Sequence, residues 1–425
     1  MTVDRTVAPE FKKVRNVNLQ QALSGKLVNG IPLHVIDAGS QPIIKLELVF
    51  HSGKWFEPSE GVSYFTTKML SEGTLGKSSL QLSRFFDQYG AFLELSPGFD
   101  YNTIAVYVLL KHFPAVTPVL KEVLTTSTFP FNEFLVLKNN TLSDLKVKKE
   151  KISVLATRKF RELIFGGNYP YGRELSEDHV NKLESPEILK GYFDNCFSNK
   201  MEIIAAGQVS DDEIDLIHTH FSDYPAVQVP KVIHNVPLYE PKKETIVKEN
   251  SSQSSVRIGK RLFTKGHPDF IKMLVVNEIL GGYFGSRLMK NIREEKGYTY
   301  GIYSRVMSFK EEGYFGVSME VIREHTCQAI DEVHKEIIKL QQNPVPEDEL
   351  ETVKNEMIGG FLSEINSPFA LADKFKAVHF QDLDYAFYQN FVDTINHITP
   401  EEIMTTAQQY LKVDEMTEVI VGGKS

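Results

Sequence analysis

Residues 286–304 read SRLMKNIREEKGYTYGIYS. Leu288 and Ile292, with the helix-spaced charges of Lys290, Arg293, Glu294 and Glu295, predict an amphipathic helix. Lys296-Gly297 ends it, a cation on the last turn followed by a glycine able to take a left-handed conformation. Tyr298, Tyr300 and Ile302 then alternate with Thr299, Gly301 and Tyr303, which predicts a strand. Arg293 and Tyr300 flank the corner. An arginine from a helix end and a tyrosine from the next strand can converge on one ligand.

The same grammar occurs earlier. Leu82–Val108, LSRFFDQYGAFLELSPGFDYNTIAVYV, is again a helix, a glycine corner (Gly90), a strand, a turn and a second strand. A second echo pairs Ser185–Val209 with Thr399–Ser425, each opening on a hydroxyl cap and proline and ending in a strand that runs into glycine. The chain therefore reads as a duplicated α/β unit. Pro225, Pro230, Pro237, Pro241 and the polar run NSSQSS mark an exposed connector between the copies. The division that follows is an N-terminal arm (1–21), a first unit (22–220), a linker (221–255) and a second unit (256–425). Within the first unit, strands are expected at Leu33–Asp37, Ile43–His51 and Met201–Gly207. Helices are expected at about Val62–Glu72 and Ser79–Tyr89, and along one long charged run from Asn132 to Ile164.

A chain of 425 residues is too long for one ordinary core. Hydrophobic residues at 42% and charged residues at 24% are those of a water-exposed globular protein. A formal charge of −9 with no basic block argues against nucleic-acid binding. Cys196 and Cys327 alone allow neither a disulfide framework nor a cysteine-built zinc site. The stretch MTVDRTVAPEFKKVRN lacks the apolar core of a signal peptide, and no apolar run is long enough to span a bilayer, so the cytoplasm is the expected compartment.

The repeat order, the GGYFGSRL…REEKGYTYGIYS stretch and NYPYGRE (Asn168–Glu174) resemble the M16 family of peptidases, and within it the M16B subtype, from about Val28 to Gly423. The resemblance implies an α+β fold: two homologous α/β domains, each an antiparallel-rich sheet covered by helices, joined by the linker. Active members carry an inverted zinc motif, HxxEH, on the first helix of the first domain. Its two histidines face one metal and its glutamate activates the metal-bound water. The matching stretch is GVSYFTTKMLSEGT (Gly61–Thr74), which places Tyr64, Thr67 and Lys68 at the motif positions. None is a usual zinc ligand. The third-ligand region falls near Ser143–Asp144, and Glu94 and Leu95 stand where active members show an asparagine-alanine pair. The resemblance thus implies a chain with no metal site and no cofactor of its own.

The second half departs less. In the family an arginine and a tyrosine of the second domain face the zinc across the cavity, and the match puts them at Arg293 and Tyr300. In some M16B enzymes one subunit bears HxxEH and its partner bears this pair. The implied role is a non-catalytic, substrate-binding subunit, inactive alone, whose partners are an HxxEH-bearing subunit holding the zinc and a peptide substrate. The alternative is a catalytically inert structural or peptide-binding homologue, or a peptide-binding homodimer. The resemblance also makes Gly281, Gly282 and Gly285 a flexible loop near the cavity mouth.

Other motifs read as structure. GGYFGS (Gly281–Ser286) lacks the lysine of a phosphate loop and does not follow a strand. His218 and His220 have no ligand partner at a useful spacing, and His34, His51, His112 and His234 are scattered along the chain. Trp55 and Phe56 are expected to be packing residues.

Overall fold

The alternating segment IIKLELVF forms the central strand of a six-stranded sheet. Its strands are β1 (Leu23–Lys26), β2 (Pro32–Asp37), β3 (Ile43–Phe50), β4 (Phe92–Pro97), β5 (Asn102–Leu109) and β6 (Met201–Gly207). Their order is β1-β2-β6-β3-β5-β4, and only the β2–β6 pair is parallel. A second sheet holds β7 (Lys243–Val247), β8 (Gln253–Leu262), β9 (Thr299–Ser308), β10 (Gly313–Ile322) and β11 (Thr417–Gly422). Its order, β7-β11-β8-β10-β9 with β7–β11 parallel, repeats the first once β1 is set aside. The computed structural model describes residues 14–197, 200–225 and 232–423. Among them no helix is long and apolar enough to cross a membrane.

The duplication extends to single backbone angles. Gly90 and Gly297 close the two corners at φ 57° and 66°. Gly207 and Gly422 end the two matching strands at φ 133° and 134°, where a Cβ would collide with the carbonyl oxygens of Ile43 and Gln253. Only glycine fits such a position without strain.

β3 is buried on both faces. Ile44, Leu46, Leu48 and Phe50 face a core shared with helices of the first half, among them Val62–Met69 and Phe113–Thr125. Val49 turns the other way, beside Ile36, Ile204 and Ala206, and meets Ala372, Phe375 and Phe380. Those three belong to the helix Pro368–His379 and its end, in the second half of the chain. The exchange is reciprocal. The helix Ile152–Phe165 of the first half lays Ala156, Phe160, Ile164 and Phe165 on Val419 and Val421 of β11. Arg257 and Arg261 of β8 donate to Ser153 O (3.3 Å) and Ile164 O (2.6 Å) of that helix. Each half thus caps the sheet of the other.

This exchange depends on a break that the long run Asn132–Ile164 does not advertise. The run is two helices, Phe131–Glu150 and Ile152–Phe165, because Lys151 is extended at φ −84°, ψ 113°. The linker expectation also needs amending. β7 and the start of β8 lie inside 221–255, so its polar NSSQSS run leads directly into a sheet. Pro230 lies outside the described residues. The part from Val232 onward is pinned rather than free: Trp55 Nε1 donates to Val232 O at 3.1 Å, and Tyr239 OH donates to Glu415 O at 2.8 Å. Trp55 itself packs between Tyr171, Tyr169 and His234. Of the N-terminal arm, residues 1–13 lie outside the described residues. Val14 packs on the second-half core, and Leu19 is buried beside Phe361 and Val392.

Candidate functional site

The Arg293–Tyr300 corner is built from a rigid base and a free top. Leu288, Met289 and Ile292 are fully buried in the second-half core. Arg287 makes a two-pronged pair with Glu349, at 2.9 and 2.7 Å. Asn291 donates to Glu332 (3.0 Å) and Glu336 (2.6 Å) on the helix Thr326–Gln342. The segment Met289–Glu295 is wound wider than an α-helix, with Lys296 N donating to Asn291 O at 3.1 Å. Such widened turns recur at functional sites because they re-aim side chains. Tyr298 N then donates to Ile292 O at 3.0 Å as the chain turns through Gly297 into β9.

Arg293 has none of these clamps. Among the described residues its guanidinium has no ion pair or hydrogen bond, and it does not pair with Glu294 or Glu295. It is held by aromatic faces, with Cζ 4.6 Å from the Phe284 ring centre and 5.5 Å from that of Tyr300. This is cation–π geometry, and it leaves the N–H fork available to a ligand. Tyr300 is 90% exposed and Phe284 63% exposed. The two predicted site residues are therefore brought together.

The alternation expected across Tyr298–Tyr303 is interrupted. Ile302 opposes Met319 and Thr299 opposes Val321, so Tyr300 and Gly301 face a single residue of β10 in a bulge. Thr299 Oγ1 ties it down by donating to Glu320 O at 2.5 Å and accepting from Gly301 N at 3.2 Å. The bulge buries Thr299 and Ile302 and sends Tyr300 outward beside Tyr303. Bulges at sheet edges redirect side chains in this way, and β9 is an edge strand of its sheet.

The glycines nearby are less loop-like than expected. Gly281 is buried in the final wide turn of a helix that runs on from Phe270–Asn277, and Gly282 ends that turn. A Cβ on Gly281 would lie 2.8 Å from Ser304 N of β9, so this glycine lets the helix approach the strand. Gly285 alone stands in the turn before Arg287.

At the motif helix, Val62–Met69, the structure provides no ligand set. Tyr64 packs against Phe65 and the first-half core. Thr67 is fully buried and donates to Ser63 O at 2.8 Å. Lys68 Nζ donates to Leu95 O on edge strand β4 at 2.6 Å. Burial lowers the Lys68 pKa, against the pull of Glu94. The Lys68 ammonium thus ties the motif helix to that strand.

Beside Phe284 a cavity of about 690 Å³ is lined by Phe270, Asn277, Glu278, Tyr283 and Phe361 among others. Burial, helped by Glu356, raises the Glu278 carboxyl to about 7. The acid is therefore favoured in the folded state, and its ionisation costs stability increasingly from pH 4.5 to 7. Glu278→Gln is expected to raise the thermal midpoint above pH 7 and leave it unchanged below pH 4.5, read by melting curves at both ends. Equal gains at both pH values would refute this assignment.

Sequence reasoning missed one cluster. His34 and His51, taken as scattered, meet His379 around the Glu202 carboxylate. They come from β2, from the residue just past β3 and from the end of a helix of the other half, so no local spacing records them.

Residues 35–176 match the family profile described as Insulinase (Peptidase family M16), and residues 184–357 match Peptidase M16 inactive domain. The chain belongs to the M16 peptidase family. It is 24% identical over 72% of its length to the Bacillus subtilis protein described as uncharacterized zinc protease YmxG, covering 75% of that protein. It is 21% identical to the Helicobacter pylori non-peptidase homolog YmxG, over 86% of this chain and 85% of the other. The Pseudomonas fluorescens structure described as a peptidase M16 inactive domain superposes with a TM-score of 0.86 at 23% identity, covering 95% of this chain and 98% of that one. The periplasmic protease PqqL of Escherichia coli gives a TM-score of 0.79 at 16% identity, over 99% of this chain and 49% of its own. At these identities the structural likeness is one of fold.

Proposed function

We propose that the chain is the non-catalytic, substrate-binding subunit of a two-chain M16B zinc peptidase. A partner bearing HxxEH supplies the metal and the glutamate base, and this chain supplies Arg293 and Tyr300. The observation that carries the proposal is the contrast within one short segment. Arg287 and Asn291 are locked by carboxylates, while Arg293 is held only by two exposed aromatic faces beside Tyr300. The motif helix meanwhile offers tyrosine, threonine and lysine. In this role the Tyr300 hydroxyl donates to the oxyanion that develops on the scissile carbonyl. The Arg293 fork donates to peptide carbonyls beside it. The open edge of β9 can take an extended peptide through backbone hydrogen bonds. The names of relatives, zinc protease in one case and non-peptidase homolog in another, are compatible with such a division of labour.

The test is a peptide-cleavage assay on this chain, on a co-encoded HxxEH protein, and on the two co-expressed. The chain alone should not cleave, and the pair should cleave faster than the partner alone. Cleavage by the isolated chain, or a partner indifferent to its presence, would sink the proposal. The exposed aromatic edge also suits a peptide-binding homologue without catalysis. That reading predicts peptide binding by the isolated chain and no change in any partner's rate.

A further inference from the structure

Three imidazoles turn their Nε2 atoms to the carboxylate of Glu202 on β6. His34 of β2 lies 3.4 Å from Oε2, and His379, the last residue of the helix Pro368–His379, lies 2.7 Å from the same oxygen. His51, just past β3, lies 2.8 Å from Oε1. One ligand atom each of His34, Glu202 and His379 falls within 4.8 Å of the others. His34 and Glu202 are each only 5% exposed. We propose that His34, Glu202 and His379 form a binding site for a divalent cation of borderline softness, Zn²⁺ foremost, which fastens the two halves of the chain together.

The donor set decides the class of ion. Two imidazole nitrogens and one carboxylate oxygen, with room for a fourth donor, suit zinc and its neighbours better than Mg²⁺ or Ca²⁺. Around a tetrahedral ion with bonds of about 2.0–2.1 Å, ligand atoms stand about 3.3 Å apart. The His34–Glu202 separation of 3.4 Å already has this value. His379 has to retreat by roughly half an ångström, and its side chain is 33% exposed at a helix end, so it has the freedom. Ser24 Oγ lies 2.8 Å from His34 Nδ1. With a metal on Nε2, Nδ1 carries the proton and donates to that oxygen, which fixes the ring. A cavity of about 420 Å³ opens onto His51, Glu202 and His379 and offers an entry path and space for a water. His51 is placed to be the fourth donor or to hold that water.

Lys200 is the opposing charge in contact with the site, with Nζ 3.8 Å from Glu202 Oε1, while Lys310 on the same cavity is paired with Asp382 at 2.7 Å. Its side chain is 47% exposed, so it can swing into solvent when a cation enters. Without an ion, the three imidazoles and the carboxylate satisfy one another by hydrogen bonds, which keeps the ligands converged. None of these residues belongs to the Val62–Met69 helix, so the site is separate from the lost zinc motif and independent of the role assigned to Arg293 and Tyr300.

The experiment is a titration of the chelator-stripped full chain with Co²⁺, followed through its visible ligand-field absorption, then displacement by Zn²⁺. One equivalent of Co²⁺ should give an intense band of four- or five-coordinate type, Zn²⁺ should abolish it, and both ions should raise the thermal midpoint. His379→Asn and Glu202→Gln should each weaken binding at least as much as the roughly 10–100-fold typical of losing an outer-shell partner, while Lys200→Ala should tighten it. His379 is part-exposed, so its variant decides the matter even if Glu202→Gln does not fold. Absence of a saturable band, or a band that His379→Asn leaves unchanged, overturns the site.

Discussion

Tyr300→Phe is expected to lower kcat of the proposed two-chain peptidase by about 10²–10³-fold, the usual cost of losing one donor to a developing oxyanion. The hydroxyl is the only group removed. The ring, which supports Arg293 at 5.5 Å, stays. The residue is 90% exposed, so folding and subunit association should be unchanged. KM should move little, because an interaction made mainly in the transition state does not hold the ground-state peptide. Arg293→Ala should behave differently. Its fork would bind peptide carbonyls before and during reaction, so KM should rise along with any fall in kcat. Arg293→Lys keeps the charge but loses the planar fork and part of the contact with Phe284 and Tyr300, and should rescue only weakly. Steady-state kinetics on this chain co-expressed with an HxxEH partner read all three. Wild-type kcat in Tyr300→Phe would remove the tyrosine from the chemistry, and wild-type constants in Arg293→Ala would do the same for the arginine.

Phe165→Ala is expected to cost about 3–5 kcal/mol, the range for truncating a fully buried aromatic. Phe165 has no exposed surface. It lies 5.9 Å, centre to centre, from Phe309 and Tyr314 of the second half and from Tyr171 of its own. The guanidinium of Arg261 sits over it at 5.6 Å. The loss therefore falls on the contact between halves rather than on either core. Chemical denaturation should show the signature of that location, with a cooperative transition broadening or splitting as the halves unfold apart. Phe92→Ala is the control, an aromatic 63% exposed on β4, expected to change stability by less than about 0.5 kcal/mol. A single, unsplit transition shifted no more than the control would mean that the exchanged helices carry little of the stability.

Several features of this molecule are legible in single residues. Gly297 predicts the left-handed corner, and φ there is 66°. Met201–Gly207 is a strand with the expected limits. The echo of Ser185–Val209 in Thr399–Ser425 becomes two equivalent strands that end in glycines of the same unusual φ. These succeed because the determinants are local: a cap, a period, a residue without a Cβ. The first helix of the first unit is legible for the same reason, running from Val62 to Met69 where a helix is expected from about Val62.

The failures share a different cause. The run Asn132–Ile164 keeps helical periodicity through Lys151, yet the backbone there is extended and the second helix leaves for the other sheet. An apolar stripe states that a helix face is buried, not which sheet buries it. The β9 bulge is invisible for a related reason: a period of two is assumed until a partner strand shows two residues opposite one. The flexible-loop reading of Gly281 and Gly282 gave way to helix because Gly281 is required by Ser304, a contact across sequence.

The sequence by itself determined the duplicated α/β architecture and the glycine corners, because each is written within a few neighbouring residues. Only the tertiary structure decided that each half caps the sheet of the other, that a bulge aims Tyr300 outward, that Arg293 is left free between two aromatic rings, and that His34, His51 and His379 converge on Glu202. Those outcomes are set by burial and by contacts between residues far apart in the chain, where packing, not local preference, selects the neighbour.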